Sequence, residues 1–250
     1  MSRRGQIAEP ETLPRAGGPG LPPPAKGYGG DDSDYWKNQP QGRRGPRERL
    51  RRYRLGMVFA LLSIFTLFVA LTSAYVIRRA GGRFDAETSS FIKDWQPVAL
   101  PAVLWLNTLL LAISSVTVEL ARRKAFAEPE ATEVWLGLRP PSRSSSMLWL
   151  SLTLLLGAGF LAGQVVAWRE LMSQGVYAAG NPSSAFFYVL TGTHAVHLMG
   201  GMLALLWAAA LNVLGRSLER RQIATDVSAW YWHAMGALWV YVFVLLRVMR

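Results

Sequence analysis

The residues of this chain best suited to chemistry are its three histidines, His194, His197 and His233. Imidazole binds metals and moves protons near neutral pH. His194 and His197 stand three residues apart, a spacing that places both on one face of a helix. Two imidazoles on one face cannot grip a single haem iron from opposite sides. A bis-histidine haem would need His233 or a second chain. A metal site would want a third or fourth ligand, and no Asp, Glu or Cys falls at the same depth of the surrounding apolar runs. The other reading is of buried hydrogen-bond partners that lock helices together, and the residue set favours it. The 250 residues include no cysteine, which removes disulfides, zinc–thiolate sites, iron–sulfur clusters and thiol nucleophiles. No phosphate-binding loop, dinucleotide fingerprint or Ser–His–Asp arrangement is present.

The carboxylates near these histidines read as boundary residues. Glu119 closes one apolar run and Glu170 another, at opposite membrane faces, so they cannot form an acid–base pair. Asp226 stands just before the last run, well placed to cap its helix. Asn107, Thr108 and Gln164 are the candidates for hydrogen bonds between helices, each worth about 0.6–2 kcal/mol in a membrane. Trp95, Trp168, Trp230, Tyr231 and Trp232 fall near run ends, where aromatic side chains form interfacial belts.

The elements that must position these groups follow from composition. Hydrophobic residues make up 51% of the chain and charged residues 17%, below the roughly 25% usual for soluble proteins. Five apolar runs, at about 55–77, 98–118, 147–168, 185–211 and 227–246, are each long enough to cross hydrocarbon roughly 30 Å thick. They lack the alternation of barrel strands, and lipid leaves no partner for open backbone groups. The expectation is an all-α integral membrane bundle of five transmembrane helices. Its histidines lie inside the fourth and fifth spans. No inverted repeat or charged pair at mid-depth points to a transporter.

The net charge of +11 raises the question of nucleic acid, but its distribution answers otherwise. Twenty of the 27 Lys and Arg residues lie before the first span, in the 119–146 loop or in the 212–226 loop. The positive-inside rule then sets the N-terminus in the cytoplasm and the C-terminus outside, with no nucleic-acid partner. Residues 1–54 form a basic, Pro/Gly-rich cytoplasmic tail, expected to be disordered, that lacks the apolar core of a signal peptide. Its basic run RRGPRERLRRYR (43–54) reads as an anchor touching anionic headgroups. Residues 55–250 form the five-helix domain.

Four segments carry a resemblance. SAWYWHAMGALWVYVFVLL (228–246) resembles the WYWHFVDVVW segment of haem–copper oxidase subunit III, the third core subunit of cytochrome c oxidase. LTGTHAVHLMGG (190–201) resembles that family's TGxHGLHVxxG, LNTLLLAISSVTVELA (106–121) its LNTxxLLxSGxxxxxA, and RLGMVFALLS (54–63) its RxGMxxFIxSE. Gln164 followed six residues later by Glu170 also matches. The likeness covers roughly 54–247, with all four segments in the family's order. It implies the short, five-helix form, in a bacterial-type plasma membrane, with the N-terminus cytoplasmic.

The resemblance also implies a function. Oxygen reduction by electrons from cytochrome c or quinol, coupled to proton pumping, belongs to subunits I and II, which hold the haem and copper. Subunit III carries no cofactor or catalytic residue. It binds phospholipid in a cleft, stabilises subunit I during turnover and supports proton uptake. Its direct partner is subunit I, then subunit II and membrane lipid, with cytochrome c or quinol reached only through the complex. His194, His197, Trp230, Tyr231, Trp232, His233, Gln164, Glu170 and Asn107 are the matching motif residues, with helix packing and lipid-cleft structure as their implied role. The sequence departs from the family at three places: a membrane-embedded Glu aligns with Ile64, the Asp of WYWHFVD with Gly236, and a phospholipid-binding Arg with about Leu211. A similar component of a quinol oxidase or nitric oxide reductase complex is the alternative within the family, and a free-standing b-haem anchor the alternative outside it.

Overall fold

The computed structural model describes residues 46–81, 83–87, 89–92, 95–127 and 145–248. Five long helices dominate: α1 (Pro46–Gly81), α2 (Val103–Phe126), α3 (Ser145–Ser173), α4 (Pro182–Val213) and α5 (Leu218–Val248). Each apolar run of the sequence becomes one helix, long and apolar enough to cross a membrane. The protein is an all-α, multi-span membrane protein. Between α1 and α2 lies a small antiparallel hairpin, β1 (Arg83–Asp85) and β2 (Ser90–Ile92), with Arg83 opposite Ile92.

The helices outrun the apolar segments, because hydrocarbon ends where polarity begins but a hydrogen-bonded helix need not. α1 starts at Pro46, so RERLRRYR (47–54) extends the first span as helix; the rest of the tail, 1–45, lies outside the described residues. The second span is the exception. Pro101 has no amide hydrogen and disfavours helix before it, so α2 begins at Val103 and residues 98–100 are not helical. α4 opens on Asn181, whose side chain accepts the Ser184 amide at 2.9 Å, with Pro182 following. α3 and α4 close on Gly175 and Gly215, both at positive φ. The next amides, Val176 and Arg216, reach back to the Leu171 and Leu211 carbonyls, which turns the chain sharply into the next helix.

Helices α2, α3, α4 and α5 pack in sequence, α2 on α3, α3 on α4, α4 on α5, and α5 returns to α2. That is a closed four-helix square with antiparallel neighbours. α1 stands outside it, packed mainly on α5 and less on α4. Of the most apolar stretch of α1 only 6% is buried, against 50% for α5. Small residues set the close approaches. A Cβ on Gly157 would meet the Trp232 ring at 2.6 Å, and one on Gly201 would meet Tyr231 at 3.0 Å.

Candidate functional site

The motif residues lie in successive layers along this square. The first layer is ionic and sits at the end where α1 and α5 begin and α2 finishes. Arg54 of α1 donates from Nε and Nη2 to the two Asp226 carboxylate oxygens at 2.7 and 2.8 Å. Arg122 of α2 donates to both Glu119 oxygens at 2.8 Å and to Asp226 at 3.4 Å. Arg123 also donates to Glu119, at 2.9 Å. His233 Nε2 stands 3.7 Å from Glu119, close enough to pair when protonated. The Arg54 guanidinium lies 5.7 Å above the Trp230 ring. A cavity of about 410 Å³ opens among Arg54, Glu119, Arg122, Trp230 and His233.

Asp226 departs from the sequence expectation. It is eight residues inside α5, its side chain is fully buried, and it caps no helix end; it ties three helices instead. The preceding LERRQIAT reads as loop because it is charged, yet outside hydrocarbon a charged segment is free to be helical. Arg54 and Arg122, each within reach of this one carboxylate, were not named as site residues. Their sequence signal is an arginine at or just beyond an apolar run, Arg54 directly before Leu55 and Arg122 one helical turn past Val118.

The next layers hold the WYWH segment. Thr117 and Thr153 join α2 to α3 at 2.8 Å. Trp232 is buried in the square rather than at the membrane interface, where its place in the sequence had put it. Its Nε1 donates to Ser114 Oγ at 2.9 Å, and its ring fills the space left by Gly157. Tyr231 turns toward α4 and donates to the His197 carbonyl at 2.9 Å. Trp230 stays exposed beside Arg54. Three neighbouring aromatics thus face α1, α4 and the α2–α3 side of the square.

The histidines do not share one environment. His194 is fully buried, with its ring 5.8 Å from Phe160 of α3 and 5.2 Å from Trp239 of α5. The His197 Nδ1 lies 2.7 Å from the Thr193 carbonyl of its own helix, and its ring meets Phe68 of α1. Three positions along a helix is about a sixth of a turn short of a full turn, enough to aim the two rings at different neighbours. Among the described residues no group of three or more His, Asp or Glu is placed to hold a metal ion.

Asn107, Thr108 and Gln164 split apart as well. Trp239 Nε1 donates to Thr108 Oγ1 at 3.0 Å, the interhelical bond expected there. Asn107 and Gln164 are buried, yet neither amide has a hydrogen-bond partner among the described residues. Glu170 is exposed at the far end of α3, apart from this layer. One turn nearer that end, Trp168 donates to Thr191 at 3.1 Å and Tyr188 to the Val176 carbonyl at 2.9 Å.

The three departures from the family pattern have clear settings. Ile64 lines an apolar groove between α1 and α5, with Met235 and Leu238 opposite. A Cβ on Gly236 would stand 3.2 Å from Ser115 Oγ, so an aspartate there would crowd the α2–α5 contact. Leu211 lines a cavity of about 510 Å³ with Tyr53, Trp207, Val227 and Arg220. The basic residue at that cavity therefore comes from the start of α5 and not from the end of α4.

Fold and site together define a multi-pass helical membrane protein in which Tyr231, Trp232 and Trp239 of α5 bond to neighbouring helices. A profile of the cytochrome c oxidase subunit III family matches residues 48–249, and the chain belongs to that family. It is 27% identical over 198 residues to a probable cytochrome c oxidase subunit 3 of Mycobacterium leprae, covering 78% of this chain and 87% of that protein. It is 28% identical over 190 residues to cytochrome c oxidase subunit 3 of Corynebacterium diphtheriae, covering 76% and 84%. A probable subunit 3 of Nocardia farcinica is similar at 27% over 198 residues.

Proposed function

We propose that this chain is the non-catalytic third subunit of a haem–copper terminal oxidase of the cytochrome c type, with the ionic end of the bundle in the cytoplasm. It holds subunit I in its working form through repeated turnover. The observation that carries this reading is the convergence of the other three motif segments on the WYWH segment of α5. Its WYWH residues engage Ser114 of the LNT helix, His197 of the paired-histidine helix and Arg54 of the RxGM helix. Such interlocking suits a rigid scaffold against which a partner subunit can pack. Haem and copper belong to the partner subunits. Relatives carrying the cytochrome c oxidase name favour this over the quinol oxidase and nitric oxide reductase alternatives.

Two finer roles belong to the same reading. The cavity beside Arg220, apolar along Leu211, Trp207 and Val227, suits a phospholipid acyl chain with its phosphate on the guanidinium. The Glu119–His233 pair at the ionic end supports a part in delivering protons to the complex.

Affinity purification of the native chain in mild detergent tests the main claim. The preparation should contain a haem- and copper-bearing subunit and consume oxygen with reduced cytochrome c. Absence of that subunit, or turnover of nitric oxide in place of oxygen, overturns it. Complexes stripped of this chain should lose oxygen-consuming activity progressively during turnover. Native mass spectrometry should show one fewer bound phospholipid in Arg220→Ala than in the parent.

A further inference from the structure

One layer of the four-helix square is built from polar side chains that find no hydrogen-bond partner among the described residues. Asn107 of α2, Gln164 of α3 and His194 of α4 are each at most 1% exposed. Both amide atoms of Asn107, both of Gln164 and both ring nitrogens of His194 lack a hydrogen-bond partner among the described residues.

The three residues lie at one depth. A Cβ on Gly163 would collide with the Asn107 amide, which places Asn107 against the residue next to Gln164. Gln164 is one turn from Phe160, whose ring meets His194, and one turn from Trp168, whose indole bonds Thr191. Those two contacts bracket Gln164 opposite the Thr191–His194 turn of α4. Trp239 of α5 completes the layer, touching His194 and Phe160 while bonding Thr108 beside Asn107. The neighbouring hydroxyls are satisfied: Thr108 donates to Leu104 and Thr191 to Phe187. Only the amides and the imidazole are left.

Leaving polar groups unpaired in such an interior is costly. Internal water meets this need where several polar groups converge, typically with about three hydrogen bonds per molecule. The donor and acceptor inventory suits it. The two amides offer NH₂ donors and carbonyl acceptors, and a neutral imidazole offers one of each. We propose that Asn107, Gln164 and His194 form a binding site for ordered water within the bundle, bridging α2, α3 and α4. The reading makes His194 a water ligand and a tie between helices.

Radiolytic footprinting of the native complex in ¹⁸O-labelled water tests this, because buried side chains beside bound water take up label while dry ones do not. His194, Phe160 and Trp239 should label several-fold faster than Trp232, which is equally buried but packed on Ser114 and Gly157 away from these three polar side chains. Labelling of all three at or below the Trp232 rate overturns the proposal. Gln164→Leu removes two of the six polar atoms, so label at His194 should fall at least twofold; an unchanged rate also overturns it. If Gln164→Leu does not assemble, the parent comparison stands by itself. A density map of the parent complex gives an independent reading. Water within hydrogen-bond distance of two of the three residues supports the site, and direct side-chain bonds closing a dry layer overturn it.

Discussion

The ionic layer at the end of the bundle and the amide–imidazole layer in its middle treat polarity in opposite ways. At the end, Asp226 and Glu119 are surrounded by Arg54, Arg122 and Arg123, and each carboxylate oxygen accepts at least one charged donor. In the middle, two amides and an imidazole stand with six atoms unpaired among the described residues. The difference is a matter of depth. Near the membrane boundary a long arginine bonds its carboxylate while part of its side chain reaches water. Deep in the bundle a charge costs far more, so the polar residues there are neutral. The first layer holds α1, which has little other burial, to the rest of the molecule. The second lies among helices already packed by apolar surface.

That contrast breaks down most visibly if Asp226 is dispensable. Asp226→Ala leaves Arg54 and Arg122 facing each other without their shared carboxylate. It should cost about 3 kcal/mol, the low end for breaking a buried pair because Arg54 keeps some solvent. Thermal melting of the detergent-purified protein measures this, and an unshifted transition would mean that α1 is held by packing. Next in size is Gly157→Ala, which pushes a methyl into the rigid Trp232 ring and should destabilise by about 2 kcal/mol in the same assay. Trp232→Phe removes the bond to Ser114, whose hydroxyl keeps its Leu111 carbonyl, so a loss of roughly 1 kcal/mol is expected beyond the small volume change. Smallest is Arg123→Ala. Its side chain is 73% exposed and Glu119 retains Arg122, so the effect should stay under about 0.5 kcal/mol. An Arg123 effect as large as that of Asp226 would show that exposure does not separate these ion pairs.

Much of this was legible along the chain, for a physical reason. Lipid demands long apolar helices, so the runs at 55–77 and 147–168 could become little else. The motif order identified the family for the same reason: WYWH and the paired histidines are local patterns read without a fold. The chemistry of individual side chains was less legible. Trp230, Tyr231 and Trp232 look alike in sequence, yet one lies beside Arg54, one bonds a carbonyl on α4 and one is buried on Ser114. A helix turns about 100° per residue, so neighbours in sequence meet different helices. Asp226 was misread because the start of α5 is polar and resembles a loop.

The five membrane-crossing helices and the family follow from hydrophobic length and contiguous motifs, which are properties of the chain. The pairing of Asp226 with Arg54, 172 positions away, and the common layer of Asn107, Gln164 and His194 come from the packed helices alone. Those pairings depend on which faces of separate helices meet, and helix packing sets that over distances a local pattern cannot span.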